Sequence, residues 1–333
     1  MHPQALELDV IVTRGPLTES RHLVHGAAVS FNGDIVASAR NVELETMWRS
    51  CSKMFQVIPF LASGGFDQLQ WTAEMLSLAC ASHGGEPEHV ALAARMLESA
   101  GLTESDLACG PHEPLSVRGE RIARESGAPL TRLHNNCSGK HAAMLARAKT
   151  AGWPTHGYEK VQHAVQQSCL AEVAMWTDVP VGDLRLGVDG CGVVVMGLPL
   201  DRMALAYGRW AQAIATGDEI PSRTAAAIAA HPHLLGGTDR FDTILIEETN
   251  GAVISKVGAE GVHCAAVPGL GLGVAIKVED GSLRAQHIAI LTALQAVGAL
   301  PAVLPPRLAD WLEKPVKNTR GDVVGAVRSA RPI

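Results

Sequence analysis

β-Branched and apolar residues cluster in short segments near the start of the chain, a pattern typical of β-strands. Three such segments span residues 8–12, 22–31 and 34–39. The dipeptide Asn32-Gly33 separates the last two and favours the tight turn of a β-hairpin. The pattern therefore predicts that the chain begins with β-structure.

The middle of the chain favours helices. Pro87 is a favourable first helical residue, and Gly101 can end the helix predicted between them. Residues 110–119 are predicted to be irregular. The remaining patterns predict helices at 50–59, 69–81, 141–151, 159–175, 203–216, 223–230 and 283–299, and strands at 184–188, 193–196, 251–257 and 274–278.

Helices in the middle and strands towards both ends indicate a mixed sheet built from distant segments, which is a mixed α/β (α+β) fold class. We expect a single catalytic unit over residues 1–333 with two lobes. The α/β lobe is predicted to comprise residues 1–60 and 180–333, and the mainly helical lobe residues 61–179.

Charge and apolar length exclude several classes of partner. The formal net charge of -6 argues against nucleic acid and against an acidic membrane surface. No basic segment followed by an apolar one opens the chain, so no secretory signal is predicted. The longest apolar stretch, 288–304, is interrupted by Thr292, Gln295 and Pro301, which favours a buried helix over a membrane span.

The seven cysteines are an odd number, and none forms a Cys-x-x-Cys pair. Without a predicted signal peptide, reduced thiols in the cytoplasm are the simplest interpretation.

Ser50 and Lys53 stand three residues apart, which on a helix places both side chains on one face. A serine hydroxyl is a weak nucleophile until a neighbouring base takes its proton, and a lysine of lowered pKa can do so. β-Lactamases use this Ser-x-x-Lys spacing. The alternative is a helix start at which Ser50 is the cap and Lys53 is solvated.

Two further segments could complete such a site. Lys256-Val257-Gly258 ends a predicted strand, where a lysine can face a serine on a helix; the alternative is a surface lysine before a turn. Ser82 follows a predicted helix and could be a second nucleophile or a substrate hydrogen-bonding group. The alternative for Ser82 is a helix C-terminus ended by Gly84-Gly85.

Polar and small residues are densest at 134–141, just before and into an Ala-rich helix. The start of that helix could receive an anion such as a carboxylate, and Cys137, Lys140 and His141 could bind a metal. Asp189-Gly190-Cys191-Gly192 lies between two predicted strands, where its glycines permit a tight turn and close ligand approach. A capped polar loop and an inert glycine-rich hairpin are the alternatives for these two segments.

The glycine-rich run at 269–273 is not a dinucleotide fingerprint, because it precedes a predicted strand and does not open a helix.

The order and combination of these motifs resemble the class 3 (Rhizobium-type) L-asparaginase family over nearly the whole chain, most specifically at residues 135–141. The resemblance implies a serine β-lactamase-like fold, with a mixed sheet flanked by helices, in a homodimer. It implies the catalytic pairs Ser50–Lys53 and Ser82–Lys256, the zinc ligands Cys137, Lys140 and Cys191, and substrate contacts from Arg49, Asn136, His141 and Asp189.

The implied activity is hydrolysis of L-asparagine to L-aspartate and ammonia through an acyl-enzyme, with zinc supporting substrate binding. A glutaminase or another small-amide hydrolase is the nearest alternative, because a pocket distinguishes one methylene by only ~1–3 kcal/mol. A non-catalytic zinc-binding amino-acid sensor is the alternative from a different class.

Overall fold

A computed structural model describes residues 2–330, and its mixture of helices and sheets confirms the mixed α/β fold class. The strands are β1 (Gln4–Ala5), β2 (Val10–Arg14), β3 (Leu17–His22), β4 (Val24–Ser30), β5 (Ile35–Ala39), β6 (Glu45–Met47), β7 (Arg185–Val188), β8 (Val194–Pro199), β9 (Ile254–Val257), β10 (Val262–Val267), β11 (Leu272–Val278), β12 (Glu313–Lys317) and β13 (Val323–Ser329).

The α-helices are α1 (Lys53–Ala62), α2 (Gly65–Gln68), α3 (Ala73–Ala79), α4 (Pro87–Ser99), α5 (Val117–Ser126), α6 (Ser138–Thr150), α7 (Ala164–Thr177), α8 (Leu200–Thr216), α9 (Glu219–Ala230), α10 (Pro232–Leu235), α11 (Phe241–Glu248), α12 (Leu283–Ala296) and α13 (Pro306–Ala309). A 3₁₀ helix, Arg49–Ser52, leads directly into α1. In the part of the chain described, no helix is both long and apolar enough to cross a membrane.

The chain divides into two compact units. The first unit comprises residues 2–51, 198–216 and 248–330, and the second unit comprises residues 52–197 and 217–247. Residues 52–60, 180–197 and 217–247, which the sequence groups with the α/β lobe, thus belong to the second unit.

The first unit contains a six-stranded sheet in the order β1-β5-β4-β11-β10-β9, in which only β1 and β5 pair in parallel among the described strands. The predicted hairpin turn is confirmed: Gly33 joins β4 to β5 with a φ of 94°. A second sheet has the order β12-β13-β2-β3. Helix α12 packs on β10 and β11 and also on β2 and β13.

Helix α8 approaches the six-stranded sheet closely because glycines face each other at the contact. A Cβ atom on Gly208 would lie 2.7 Å from the carbonyl oxygen of Val29. A Cβ atom on Gly273 would lie 2.0 Å from the carbonyl oxygen of Ala204. These contacts involve backbone atoms, which cannot move aside as a side-chain tip can, so the packing requires glycine at both positions.

The second unit is mainly helical, with α6 in contact with α1, α2, α3, α4 and α7. Its β-structure is the antiparallel hairpin of β7 with β8, in which Val188 pairs with Val194. The expectation of irregular structure up to residue 119 is wrong, because α5 begins at Val117. Ser116 caps this helix by accepting a hydrogen bond from the Gly119 N–H. The sequence does not reveal the helix, because Gly119 is its only buried residue and no apolar face marks it.

Gly208→Ala tests the contact between α8 and the sheet. Alanine favours a helix interior over glycine by about 1 kcal/mol, so propensity alone would raise the free energy of unfolding. We expect a decrease of about 1–3 kcal/mol, because the added methyl overlaps the Val29 carbonyl. Chemical denaturation measures the change.

Gly182→Ala is the matched control, since nothing lies within 4 Å of a Cβ atom there. A Gly208→Ala protein that is more stable than the wild type would contradict the close approach.

Candidate active site

Lys53, the first residue of α1, is 1% exposed and donates three hydrogen bonds within the second unit. Its Nζ atom donates to the carbonyl oxygen of Ala81, to Ser82 Oγ at 3.0 Å and to Cys137 Sγ at 3.2 Å. An ammonium group has three N–H donors, so these acceptors use all of them. The second unit thus brings together three of the predicted residues: Lys53, Ser82 and Cys137.

Close packing of α6 on the end of α3 places these groups together. A Cβ atom on Gly139 would lie 2.3 Å from the carbonyl oxygen of Leu78, so only glycine permits this approach. The segment after α3 is also tied to the loop before α6, because the His83 N–H donates to the carbonyl oxygen of Asn136 at 3.1 Å.

His83 and Ser138 join the same two segments through their side chains, a contact that the sequence interpretation missed. Both are fully buried, and His83 Nε2 lies 2.9 Å from Ser138 Oγ. Each directly follows a predicted site residue, Ser82 or Cys137. The sequence held one signal for this contact. His83 directly follows Ser82, and a histidine that is buried there needs a hydrogen-bond partner.

Lys140 lies on α6 with its Nζ atom 3.1 Å from Cys191 Sγ, and both residues are buried. The Cys137 thiol donates a hydrogen bond to Cys191 and, together with the Lys140 ammonium, overcomes burial and lowers the pKa of Cys191 to about 4. The same hydrogen bond, with burial, raises the pKa of Cys137 to about 12. Burial opposes the charge on Lys140, but the two sulfurs outweigh it and raise its pKa.

Two sulfurs and one amine nitrogen therefore converge in the second unit. Zinc accepts cysteine thiolates and neutral nitrogen ligands, so Cys137, Cys191 and Lys140 fit this ion once the lysine amine has lost its proton. Residues 2–330 contain no group of three or more His, Cys, Asp or Glu that could hold a metal. The third donor of this set is a lysine, which lies outside those four residue types.

His141 follows Lys140 and is completely buried. Its Nδ1 atom hydrogen-bonds the hydroxyl of Tyr158, whereas its Nε2 atom has no hydrogen-bond partner among the described residues. Burial, and then the charge on Lys140, lowers the pKa of His141 to about 3, so the imidazole is neutral at physiological pH. A neutral ring with one unused nitrogen can donate to or accept from a bound ligand.

Asp189 and Asn136 are only partly buried. Asp189 sits in the tight turn between β7 and β8, where its N–H donates to the carbonyl oxygen of Val193. Its Oδ1 atom accepts from the Gly190 N–H at 2.8 Å. This turn presents Cys191 to Lys140.

The predicted residues Arg49, Ser50 and Lys256 belong to the first unit. Ser50 is 9% exposed, and Lys256, on β9, is completely buried with its Nζ atom donating to the carbonyl oxygen of Val257 at 2.8 Å. Cys51 links the two segments, because its Sγ atom donates to the carbonyl oxygen of Lys256 at 2.9 Å. The first unit thus holds the segment that carries Ser50 against the strand that carries Lys256.

Arg49 has a φ of 53°, in the left-handed region that non-glycine residues seldom adopt. Such conformations cost about 1–3 kcal/mol and concentrate at functional sites. The strained backbone of Arg49, directly before Ser50, is therefore consistent with a functional site at this segment.

The model of the family described as L-asparaginase II matches residues 10–329. The chain belongs to the L-asparaginase II family. This family places the chain among amidohydrolases and confirms the resemblance seen in the motifs. No curated protein shows significant sequence similarity to it.

Several solved structures are similar to this L-asparaginase II family member. The native form of Mglu is 12% identical with a TM-score of 0.45; the match covers 84% of this chain, which spans 64% of the length of Mglu. EstCE1, a hydrolase with promiscuous acyltransferase activity, is 12% identical with a TM-score of 0.39, covering 82% of this chain and 93% of EstCE1. A Bacillus glutaminase is 13% identical with a TM-score of 0.33, and the match covers 84% of this chain and 92% of the glutaminase. The family assignment rests on the family model.

A buried carboxylate fastens the segment that follows Ser82. Glu86 is 1% exposed and accepts hydrogen bonds from the Thr238 N–H and hydroxyl, and it pairs with Arg118. Burial would raise the pKa of Glu86, but hydrogen bonds from Thr238, Ser116 and Arg118 outweigh it and lower the pKa to about 2. The charged form is thus stabilised by folding.

Glu86→Gln should lower the melting temperature at neutral pH. The pKa of Glu86 is lower in the folded than in the unfolded protein, so its contribution is complete above the ordinary glutamate value near 4.5 and is lost as the pH falls towards about 2. The difference in melting temperature between Glu86→Gln and the wild type should therefore shrink between pH 5 and pH 3. Exposed Glu98→Gln is the control, and a difference that grows on acidification would contradict this account.

Proposed function

We propose that this protein is an L-asparaginase that hydrolyses L-asparagine to L-aspartate and ammonia. The observation that carries the proposal is the buried amine of Lys53, which contacts Ser82 and Cys137 and belongs to the residue that begins α1, three positions after Ser50. A desolvated lysine beside serine hydroxyls is suited to proton transfer in acyl transfer. Membership in the L-asparaginase II family supports the choice of substrate.

In the proposed mechanism, Ser50 Oγ attacks the carbon of the substrate's side-chain amide while a neutral Lys53 accepts the hydroxyl proton. The bond from carbon to nitrogen then breaks, and that proton passes to the leaving nitrogen, which departs as ammonia. Water attacks the resulting ester, releases aspartate and restores Ser50. Because Ser82 Oγ lies 3.0 Å from Lys53 Nζ, the Ser82 hydroxyl can relay the proton, with Lys256 as its partner lysine.

The remaining predicted residues would bind the substrate. Asparagine carries an α-carboxylate and an α-ammonium group, which suit Arg49 and Asp189 respectively, with His141 and Asn136 as uncharged hydrogen-bonding groups. Cys137, Lys140 and Cys191 would hold the zinc ion, which when bound supplies a positive charge that helps to orient the substrate. The homodimer that the resemblance implies and the cytoplasmic location that the cysteines and the missing signal pattern indicate stay predictions.

The substrate is tested by ammonia release from the purified protein. We expect release from L-asparagine to be far faster than from L-glutamine. Ser50→Ala and Lys53→Ala should each abolish turnover with an unchanged circular dichroism spectrum, because they remove the nucleophile and its base. Ser52→Ala should have a smaller effect, since Ser52 adjoins Lys53 on another helix face.

Equal rates on the two amides would favour a general small-amide hydrolase. An inactive wild type that binds asparagine would favour a sensor. Loss of activity in Ser52→Ala but not in Ser50→Ala would show that Ser50 is not the nucleophile.

Zinc is tested by measuring metal content and kinetics for Cys191→Ser. Removal of a thiolate should lower the zinc content and raise KM while substantial kcat remains, because the proposed role of the ion is to orient substrate and not to activate water. Cys169→Ser, also buried in the second unit, is the matched control. A collapse of kcat at unchanged KM, reversed by added zinc, would show that the metal takes part in the chemistry.

A further inference from the structure

A small cavity lies between α1 and α6 inside the second unit, next to both buried lysines. One face of α1 lines it with Lys53 and Gln56, and the facing side of α6 lines it with Lys140, Ala143 and Arg147. On each helix these residues follow the spacing of a single face. The cavity has a volume of about 10 Å³, close to the space that one buried water needs.

Gln56 brings a buried acceptor to this cavity. The residue is 7% exposed, and its Oε1 atom has no hydrogen-bond partner among the described residues. A buried polar atom without a partner costs about 1–3 kcal/mol. Such atoms are ordinarily paired with protein or with an ordered water, so this amide oxygen needs a donor.

The two lysines differ in the donors that they can offer. The Lys53 amine already has three contacts, to Ala81, Ser82 and Cys137, which occupy all of its polar positions. Lys140 is 4% exposed and donates to Cys191. Its amine retains further N–H groups in the ammonium form and in the neutral form alike. Of the two lysines, Lys140 is therefore the one that can donate to a water in this cavity.

We propose that the cavity binds one water, which accepts a hydrogen bond from Lys140 Nζ and donates one to Gln56 Oε1. Gln56 is then a positioning residue that holds the Lys140 amine in its orientation towards Cys191. The inference rests on the proposed function in one respect, the role of Lys140 as a zinc ligand. Removing a residue that orients a metal ligand commonly lowers metal affinity by roughly 10–100-fold.

The test compares Gln56→Met with the wild type. Methionine keeps the length of the side chain and removes the acceptor. We expect the water to be present in a high-resolution crystal structure of the wild type and absent or displaced in Gln56→Met. Zinc affinity should fall by about tenfold or more, and KM for asparagine should rise while kcat changes little.

Gln56→Glu is the rescue variant, because a carboxylate oxygen restores the acceptor, and it should return zinc affinity towards the wild-type value. Gln68→Met, at an exposed position of the same unit, is the matched control and should change none of these quantities. Melting temperatures identify any variant that fails to fold, in which case Gln56→Glu and the wild-type structure carry the test.

The proposal is overturned if the wild-type cavity holds no water, or if Gln56→Met binds zinc as the wild type does. A wild type that binds zinc but releases no ammonia from asparagine would refute the proposed function while leaving these two measurements valid. If the wild type binds no zinc, the position of Lys140 Nζ in the two crystal structures decides: movement in Gln56→Met supports the proposal, and an unchanged position overturns it.

Discussion

The burial of two lysine amines, Lys53 and Lys140, is the constraint on which the second unit depends. An amine without partners is costly to remove from water, so each needs acceptors in fixed positions. Those acceptors come from separate segments: the residues after α3, the start of α6 and the turn between β7 and β8. The close approach of Gly139 to Leu78 and the bond of His83 with Ser138 hold the first two of these segments together.

The first unit differs, because its completely buried lysine, Lys256, lies on a strand of a sheet. Here order comes from the approach of backbone to backbone, as at Gly208 and Gly273, where no side chain intervenes. Gly258 repeats the device, because a Cβ atom on it would lie 3.0 Å from the carbonyl oxygen of Val262 and 3.1 Å from Cys51 Sγ. Rigid strands thereby fix the segment that contains Ser50.

Sequence patterns predict the structure best where a local physical signal is strong. Pro87 begins α4 as predicted, and Asn32-Gly33 forms the hairpin turn. Strands β3, β12 and β13 have mainly exposed or partly exposed residues, so their apolar pattern is weak and sequence reasoning missed them. Lys53, Ser82 and Cys137 belong to separate sequence motifs, and their contacts depend on helix packing over long separations, which no local pattern contains.

All seven cysteines are free and buried, two in the first unit and five in the second. A thiol reagent needs an exposed thiolate, so in the folded protein each sulfur is protected until its surroundings open. The rate at which each buried thiol reacts therefore reports how often its surroundings open, in both units. Cys51 and Cys264 are natural probes of local opening in the sheet-containing unit. Cys80, Cys109 and Cys169 are such probes in the helical unit, so no label has to be introduced.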